Sequence, residues 1–357
     1  MRFIHAGSPD PGMAHVRDGL DDVLRRHGHE PAATAGDADL VINHIGKGRP
    51  RPIRRGGRGV FVISVGAVHG HDHTVQKLYP LLVKTLSNLL IAVARDGSPE
   101  VAHLVTLEQA HVVVPRDPVG DGFFEKMYAR IEPLATSRLV IDNIFEPDLE
   151  PALWHGDEHT ASIGRAGRFL AELNLLPAAF NIEEQLSPRD FRHVQLLYGI
   201  GGLSYGNYSV RLDPARFWMS ASGVDKSRLR EIGRDILLVK GYDAEKNAIR
   251  LSVPPGVEPR RVSVDAIEHF LIYRENPSVG AILHVHAWLE GVPSTAMQFP
   301  CGTYELGRAV ADLVAAAPDP GHAVVGQRNH GLTITGASLD EILERVGGSL
   351  VRNVPMT

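Results

Sequence analysis

Cysteine is almost absent from this sequence of 357 residues, which contains only Cys301. A single cysteine excludes an intramolecular disulfide framework and is typical of proteins from a reducing compartment. The N-terminal residues MRFIHAGSPDPG also lack the apolar core of a secretory signal peptide. We therefore expect a cytoplasmic protein.

The sequence also lacks a long uncharged apolar run and a strong excess of one charge. The longest apolar stretch, residues 78–94, contains Lys84 and predicts an amphipathic or buried helix rather than a membrane span. The net charge of −5 gives no reason to expect nucleic acid, and the arginine-rich residues 46–59 predict a basic loop. With 43% apolar and 22% charged residues, the composition is that of a globular protein. We expect a small-molecule partner, and neither a membrane nor nucleic acid.

The first part of the chain alternates strand-like and helix-like patterns. The strand-like segments MRFIHA and DLVINHI flank a helix-like segment, and the strand-like segment GVFVISVGAV is followed by a helix predicted from Val75 to Arg95. This alternation predicts an α/β domain with some parallel pairing, for which a Rossmann-like arrangement is one possibility. A proline-containing acidic stretch, residues 145–159, marks the expected boundary. We predict one α/β domain of unknown role at 1–155 and a second domain at 156–357.

Two histidines alternate with one valine at the end of an apolar segment, in AILHVHAW. This spacing places His284 and His286 on the same side of a strand, where their ring nitrogens need partners. A third histidine, His330, follows another strand-like segment, AVVG. Three neutral imidazoles with an open coordination position are a common site for catalytic Zn²⁺, and Mn²⁺, Co²⁺ or Fe²⁺ are alternatives. An ordinary hydrogen-bonded histidine pair remains the other interpretation.

A series of motifs extends this pattern over the C-terminal half. In order they are GNYSVR (206–211), MSASGVDKSRL (219–229), SVDAIEHFLIYRENPSVGAILHVH (263–286), GTYELGRAV (302–310) and NHG (329–331). The series resembles the class II aldolase/adducin family, from about Ala161 onward. The resemblance implies an αβα domain with a central, mainly antiparallel sheet. It also implies that His284, His286 and His330 bind a divalent metal, and that the protein is a homo-oligomer, either a dimer or a tetramer.

The resemblance further implies a catalytic carboxylate nineteen residues before His284, which is Asp265 here. Without the family, Asp265 reads as an acidic residue in the first turn of a helix, where it favours the helix dipole. The family's substrate- or phosphate-binding positions match Gly206, Asn207, Ser222, Gly223 and Ser263. The resemblance implies a second serine after Ser263, but this position is Val264, so the sequence leaves open whether the substrate carries a phosphate. Lys226 is interpreted as a solvated lysine.

The chemistry implied by the resemblance is that of a metal-dependent lyase or epimerase in carbohydrate metabolism. Its substrate would be a small hydroxy-carbonyl compound, sugar- or sugar-phosphate-like, and the reaction would pass through an enediolate with Asp265 moving a proton. C–C bond cleavage or formation of the aldolase type, or epimerisation, is the first expectation. Dehydratase and decarboxylase reactions of the same family are alternatives. A non-catalytic adducin-like scaffold and an iron-dependent oxygenase are rivals from other classes.

The proton donor of the reaction is left open by the sequence. Fuculose-type aldolases carry a tyrosine in a longer segment after the histidine pair, and the connector at residues 287–301 has no counterpart of it. Tyr273 and Tyr304 are the candidates for a replacement.

Overall fold

The computed structural model describes residues 1–46, 50, 52, 60–70, 73–96, 99–108, 110–117, 122–176, 187–189, 191–192, 205–352 and 354–356. The expected basic loop at 46–59 therefore lies almost entirely outside the described residues. The chain divides into two compact units. The first contains Met1–Ser137, Glu184–Val194 and Met356–Thr357, and the second contains Arg138–Glu183 and Gln195–Pro355. Within the described residues, every helix is too short or too polar to cross a membrane.

The first unit is built on a seven-stranded sheet with the strand order β2-β1-β3-β4-β5-β6-β7 among the described residues. The strands are β1 (Arg2–Ala6), β2 (Glu30–Pro31), β3 (Leu40–Ile45), β4 (Phe61–Val68), β5 (Leu89–Ala94), β6 (Val101–Thr106) and β7 (His111–Pro115). Pairing is parallel from β2 to β5 and antiparallel from β5 to β7. The helices are α1 (Ala14–Arg26), α2 (Val75–Lys84) and α3 (Gly122–Thr136). The Rossmann-like arrangement is not confirmed, because dinucleotide-binding sheets have the order 3-2-1-4-5-6.

One predicted helix of this unit is wrong in its second half. The helix expected from Val75 to Arg95 ends at Lys84, and Leu89–Ala94 is the strand β5 instead. The chain turns at Leu86, whose φ is +52°, before it enters the sheet. Residues 89–93 are buried, as in a central strand of a sheet. A short, continuous apolar run of this kind cannot be distinguished from a helix by its periodicity.

The second unit contains an eight-stranded sheet with the order β14-β15-β13-β9-β10-β11-β12-β8 among the described residues. The strands are β8 (Asp142–Glu146), β9 (Asn207–Arg211), β10 (Phe217–Ser220), β11 (Ile236–Asp243), β12 (Ala248–Ser252), β13 (Ala281–Val285), β14 (Val324–Gln327) and β15 (Gly331–Gly336). All of these neighbours pair antiparallel except β12 and β8, which are parallel. The sheet is mainly antiparallel, as expected. The helices are α4 (Glu158–Glu172), α5 (Ala266–Glu275), α6 (Tyr304–Ala315) and α7 (Leu339–Val346).

Helices cover both faces of this sheet. Successive side chains of a strand point to opposite faces. On β9, Tyr208 lies against Gly167 of α4, whereas the hydroxyl of the next residue, Ser209, lies 2.7 Å from a ring nitrogen of His269 on α5. Helices α4 and α5 therefore pack on opposite faces and form an αβα arrangement.

The predicted boundary between residues 155 and 156 lies inside the second unit of the structure. Strand β8 precedes that boundary but pairs with β12 over five residues, from Asp142 with Ala248 to Glu146 with Ser252. Because this pairing joins β8 to the second sheet, the structure divides the chain earlier, between Ser137 and Arg138.

Candidate metal centre

The register of the second sheet brings the ends of three strands to one edge. On the central strand β13, His284 lies opposite Asn207 at the start of β9 and opposite Thr333 near the start of β15. Because both neighbours run antiparallel to β13, the residues that follow β13 and precede β15 meet at this edge. These residues include His286 and His330.

The three predicted histidines come together there. Their ring centroids are 4.6 to 5.2 Å apart. One ligand atom from each of His284, His286 and His330 lies within 4.8 Å of the others, and this is the only such group of three or more potential ligands in the described part of the chain. His284 Nδ1 lies 3.0 Å from the carbonyl oxygen of Leu332, to which it can donate. The buried Nε2 of His284 has no hydrogen-bond partner in the protein. This arrangement leaves a lone pair on Nε2, as a metal ligand requires.

The other two histidines also fit a divalent ion. Their Nε2 atoms lie 3.0 Å apart. Two imidazole nitrogens on one tetrahedral zinc ion, each 2.0–2.1 Å from the metal, are separated by about 3.3 Å. Burial lowers the pKa of His284, and it lowers the pKa of His286 and His330 well below the usual range, with the neighbouring histidines adding to the effect. The rings are therefore neutral, which is the form that binds metal.

The sequence NHG shapes the turn that carries His330. Asn329 has a φ of +58°, a left-handed conformation that asparagine tolerates better than most residues. A Cβ atom on Gly331 would lie 2.3 Å from the carbonyl oxygen of Val285. Glycine therefore allows β15 to approach the end of β13 closely, which places His330 against His286.

Asp265 lies directly before α5 and is buried, with 4% of its surface exposed. Its Oδ2 accepts a hydrogen bond from Asn207 Nδ2 at 2.7 Å, and its Oδ1 accepts one from the backbone N–H of Gly302 at 3.3 Å. The side chain makes no capping hydrogen bond to α5. Its negative charge raises the pKa of His284, against the larger effect of burial. The carboxylate thus acts on the histidine group and does not cap its own helix.

A polar network behind His284 was not predicted from the sequence. Glu268 accepts hydrogen bonds from Thr333 Oγ1 at 2.6 Å and from Gln327 Nε2 at 3.0 Å. Gln327 Nε2 also lies 3.3 Å from Nδ1 of His284. Burial, together with the charge of Asp265, raises the pKa of Glu268 well above its usual value. The one available signal was spacing, because Glu268 follows Asp265 by three residues, about one helical turn.

Lys226 is buried, contrary to the prediction of a solvated side chain. Only 5% of its surface is exposed, and burial lowers its pKa to about 8, although the charge of Asp265 acts in the opposite direction. The positive charge of Lys226 in turn lowers the pKa of both His284 and His286. The surrounding segment is packed against α4, since a Cβ atom on Gly167 would lie 1.8 Å from the carbonyl oxygen of Lys226. Spacing alone does not reveal this packing.

The predicted substrate-binding positions lie on neighbouring segments of the same sheet. The backbone N–H of Ser263 bonds to the carbonyl of Ser220, and that of Ser222 bonds to the carbonyl of Arg261, so Ser222 and Ser263 are close in the fold. Gly223 has a φ of +68° and is exposed. Gly206 has a φ of +76°, and a Cβ atom there would lie 2.5 Å from the carbonyl oxygen of His284. Gly206 therefore also has a structural role.

The two candidate tyrosines have partners elsewhere. Tyr273 is buried, and its hydroxyl lies 2.9 Å from Ser209 Oγ, so it belongs to the core. The ring of Tyr304 packs against the guanidinium group of Arg138, 5.0 Å from the ring centroid. A third tyrosine, Tyr205, has its ring centroid 4.8 Å from that of His286.

Comparisons with known proteins agree with the motifs. Residues 191–347 match the model of the Class II Aldolase and Adducin N-terminal domain. A methylthioribulose-1-phosphate dehydratase from Pectobacterium atrosepticum is 42% identical over 82 residues, which is 23% of this chain and 34% of the relative. The enzyme of that name from Pseudomonas paraeruginosa is 28% identical over 197 residues, which is 46% of this chain and 89% of the relative.

Solved structures also align with this chain. The alignment with an L-fuculose 1-phosphate aldolase covers 54% of this chain and 84% of the aldolase chain, at 17% sequence identity and a TM-score of 0.37. The chain spans about a third of the length of the first dehydratase. The segment that matches the class II aldolase/adducin family model, residues 191–347, includes His284, His286, His330 and Asp265.

Proposed function

We propose that this protein is a metal-dependent lyase that acts on a small hydroxy-carbonyl compound, sugar- or sugar-phosphate-like. The observation that supports it best is the buried, partnerless Nε2 of His284, grouped with two neutral imidazoles near the buried Asp265. Nitrogen donors of this kind suit Zn²⁺ best, with Co²⁺, Fe²⁺ and Mn²⁺ as alternatives. We also propose a homo-oligomeric assembly.

A divalent ion at this site would act as a Lewis acid that polarises the substrate's carbonyl group and so acidifies the neighbouring C–H bond. The chain's own residues then handle the proton. Asp265 is the base that accepts it at a carboxylate oxygen, and Asn207 holds the carboxylate in place through a hydrogen bond to Oδ2. Lys226, buried and positively charged near Asp265, attracts an anionic substrate group or returns a proton to the leaving hydroxyl.

We favour the loss of a β-hydroxyl group as the reaction. The curated relatives described above are named as dehydratases, and this supports elimination of water over cleavage of a C–C bond. Aldol cleavage and epimerisation, which the sequence alone placed first, depend on the same delocalisation of negative charge onto the carbonyl oxygen. They become the second candidates. A non-catalytic scaffold would not need a buried carboxylate next to three neutral imidazoles.

The proposal is tested by metal analysis together with turnover. Purified protein should contain about one equivalent of zinc or a related ion, and His284→Ala should retain less than a tenth of it. His322→Ala is the matched control, since His322 is half-exposed and pairs with Asp319 on the surface. Methylthioribulose 1-phosphate and L-fuculose 1-phosphate serve as probes, with product formation followed by mass spectrometry. A wild-type protein that binds no metal and converts neither probe, with or without added Zn²⁺, Co²⁺, Fe²⁺ or Mn²⁺, would contradict the proposal.

A further inference from the structure

Tyr205 packs beside the histidine group, just before the start of β9. We propose that Tyr205 is a specificity-determining residue of this site, and that its ring contacts an apolar carbon group of the substrate. The inference rests on the proposed function and deepens it, because it narrows the substrate to hydroxy-carbonyl compounds that carry such a group. The motif GNYSVR begins at the glycine that follows Tyr205, so the motifs do not include this residue.

The strand pairing places Tyr205 on the same face of the sheet as two of the histidines. Asn207 of β9 lies opposite His284 of β13, and the two strands are antiparallel. Two residues further along this register, Tyr205 comes opposite His286, and facing residues of antiparallel strands project to the same side. The structure agrees with this register, because the ring centroids of Tyr205 and His286 are 4.8 Å apart, with 54° between the ring planes.

The main chain around Tyr205 is held in place. The N–H of Tyr205 donates to the carbonyl oxygen of Leu176 at 2.7 Å. The next residue, Gly206, has a φ of +76°, and a Cβ atom there would lie 2.5 Å from the carbonyl oxygen of His284. This close approach fixes the turn against the end of β13. The backbone on both sides of Tyr205 therefore positions its ring beside His286.

The exposed side of the histidine group is the side on which Tyr205 lies. His284 and His330 have 1% and 4% of their surface exposed, whereas His286 is only partly buried. The sulfur of Cys301 lies 3.3 Å from Nε2 of His330 and covers that histidine further. His286 is thus the most exposed of the three, and the partly exposed ring of Tyr205 packs on it. A molecule that enters past His286 therefore meets Tyr205.

An aromatic ring in this position selects a substrate by shape and polarity. Its apolar face gains dispersion and hydrophobic contact with carbon groups, and most of all with another aromatic ring. The charged side chains of Asp265 and Lys226 both influence the pKa of His284, in opposite directions. The polar groups of the substrate have these side chains as partners, whereas its apolar group packs on Tyr205.

Two hydroxamates test this contact without turnover. Acetohydroxamate and benzohydroxamate chelate zinc through the same two oxygen atoms and differ only in a methyl or a phenyl group. We expect calorimetric titration of Zn²⁺-loaded wild-type protein to show tighter binding of benzohydroxamate. Tyr205→Ala should reduce that preference about three- to tenfold, since an aromatic contact is lost, and Tyr205→Phe should keep it. Tyr304→Ala is the matched control, because the ring of Tyr304 packs against Arg138 instead.

The outcomes separate this inference from the proposed function. If neither hydroxamate binds the Zn²⁺-treated wild type more tightly than the metal-free protein, both the metal centre and the role of Tyr205 are overturned. If both bind and Tyr205→Ala keeps the wild-type preference, only the role of Tyr205 is overturned. Loss of zinc from Tyr205→Ala, or equal loss of affinity for both compounds, also contradicts the inference, since the ring would then only support His286. Should Tyr205→Ala fail to fold, Tyr205→Gln takes its place with the same expected result.

Discussion

The side-chain amide of Asn207 donates a hydrogen bond of 2.7 Å to the carboxylate of Asp265. Asn207 also lies opposite His284 in the register of β9 and β13. One residue thus connects the strand of the first histidine to the proposed base. The geometry of the carboxylate therefore depends on the same strand pairing that positions the imidazole.

Replacement of that carboxylate should separate chemistry from metal binding. We expect Asp265→Asn to lower kcat by about 10²- to 10⁴-fold, the usual contribution of a general acid or base, because an amide cannot accept the proton. The metal content should stay within about 20% of that of the wild type, measured by elemental analysis on the same samples. A variant that loses its metal instead would show that Asp265 acts mainly as a structural or ligating group.

Glu268 should tolerate replacement by glutamine, a side chain of similar shape that cannot ionise. Because burial and the charge of Asp265 raise the pKa of Glu268 well above the usual value, the neutral form of the carboxyl group is favoured, and glutamine has nearly the same shape. We expect Glu268→Gln to retain metal affinity within about threefold. Glu268→Ala, which leaves Gln327 and Thr333 without their partner, should lower that affinity about 10- to 100-fold. Equal losses in the two variants, by chelator competition, would mean that the charged form is required.

A glycine next to the first histidine gives a test of close packing. Gly206→Ala should disturb β13, because the new Cβ would lie 2.5 Å from the carbonyl oxygen of His284. Gly291→Ala is the matched control, since its φ of +78° is similar but a Cβ atom there would have no neighbour within 4 Å. We expect the control to lose about 1 kcal/mol of unfolding free energy from backbone strain alone. Gly206→Ala should lose more and should bind metal at least about tenfold more weakly.

The free energy of unfolding should decrease as the pH is lowered, because of a buried histidine in the first unit. Burial, with smaller contributions from His5 and Arg17, lowers the pKa of His44 to about 4. The unfolded state, with a histidine pKa near 6.5, takes up the proton first as the pH falls, so the contribution of His44 is lost between about 6.5 and 4. From pH 7 to 5 this amounts to about 2 kcal/mol. Urea unfolding of His44→Gln should show a pH dependence smaller by that amount, and an unchanged dependence would contradict the argument.

Much of the second unit follows from local patterns in the sequence. The period-two spacing of His284 and His286 describes the end of β13, and the motif NHG describes a turn that needs a left-handed Asn329. The assignment of His330 as the third ligand depended on the resemblance to a family, since 44 residues separate it from His286. Strand pairing across that separation is what brings the rings together.

The remaining features depend on contacts between distant residues. Lysine is usually found at the protein surface, and Lys226 is buried only because its segment packs near α4 and Asp265. Cys301 gives no pattern of its own, because its approach to His330 depends on where the loop before α6 is anchored. Only the last two residues of β8 overlap the expected boundary stretch, 145–159, but its pairing partner β12 is about a hundred residues away in the sequence.

Strand β13 is hydrogen-bonded on both sides, to β9 and to β15, and all five of its residues are buried. Its backbone amides should therefore be among the slowest in the protein to exchange with deuterium, since their release requires the sheet to open at its centre. His284 is thus carried by a strand that stays closed during most local fluctuations. Preorganisation of this kind would let the ion bind without the entropy loss of ordering a flexible loop.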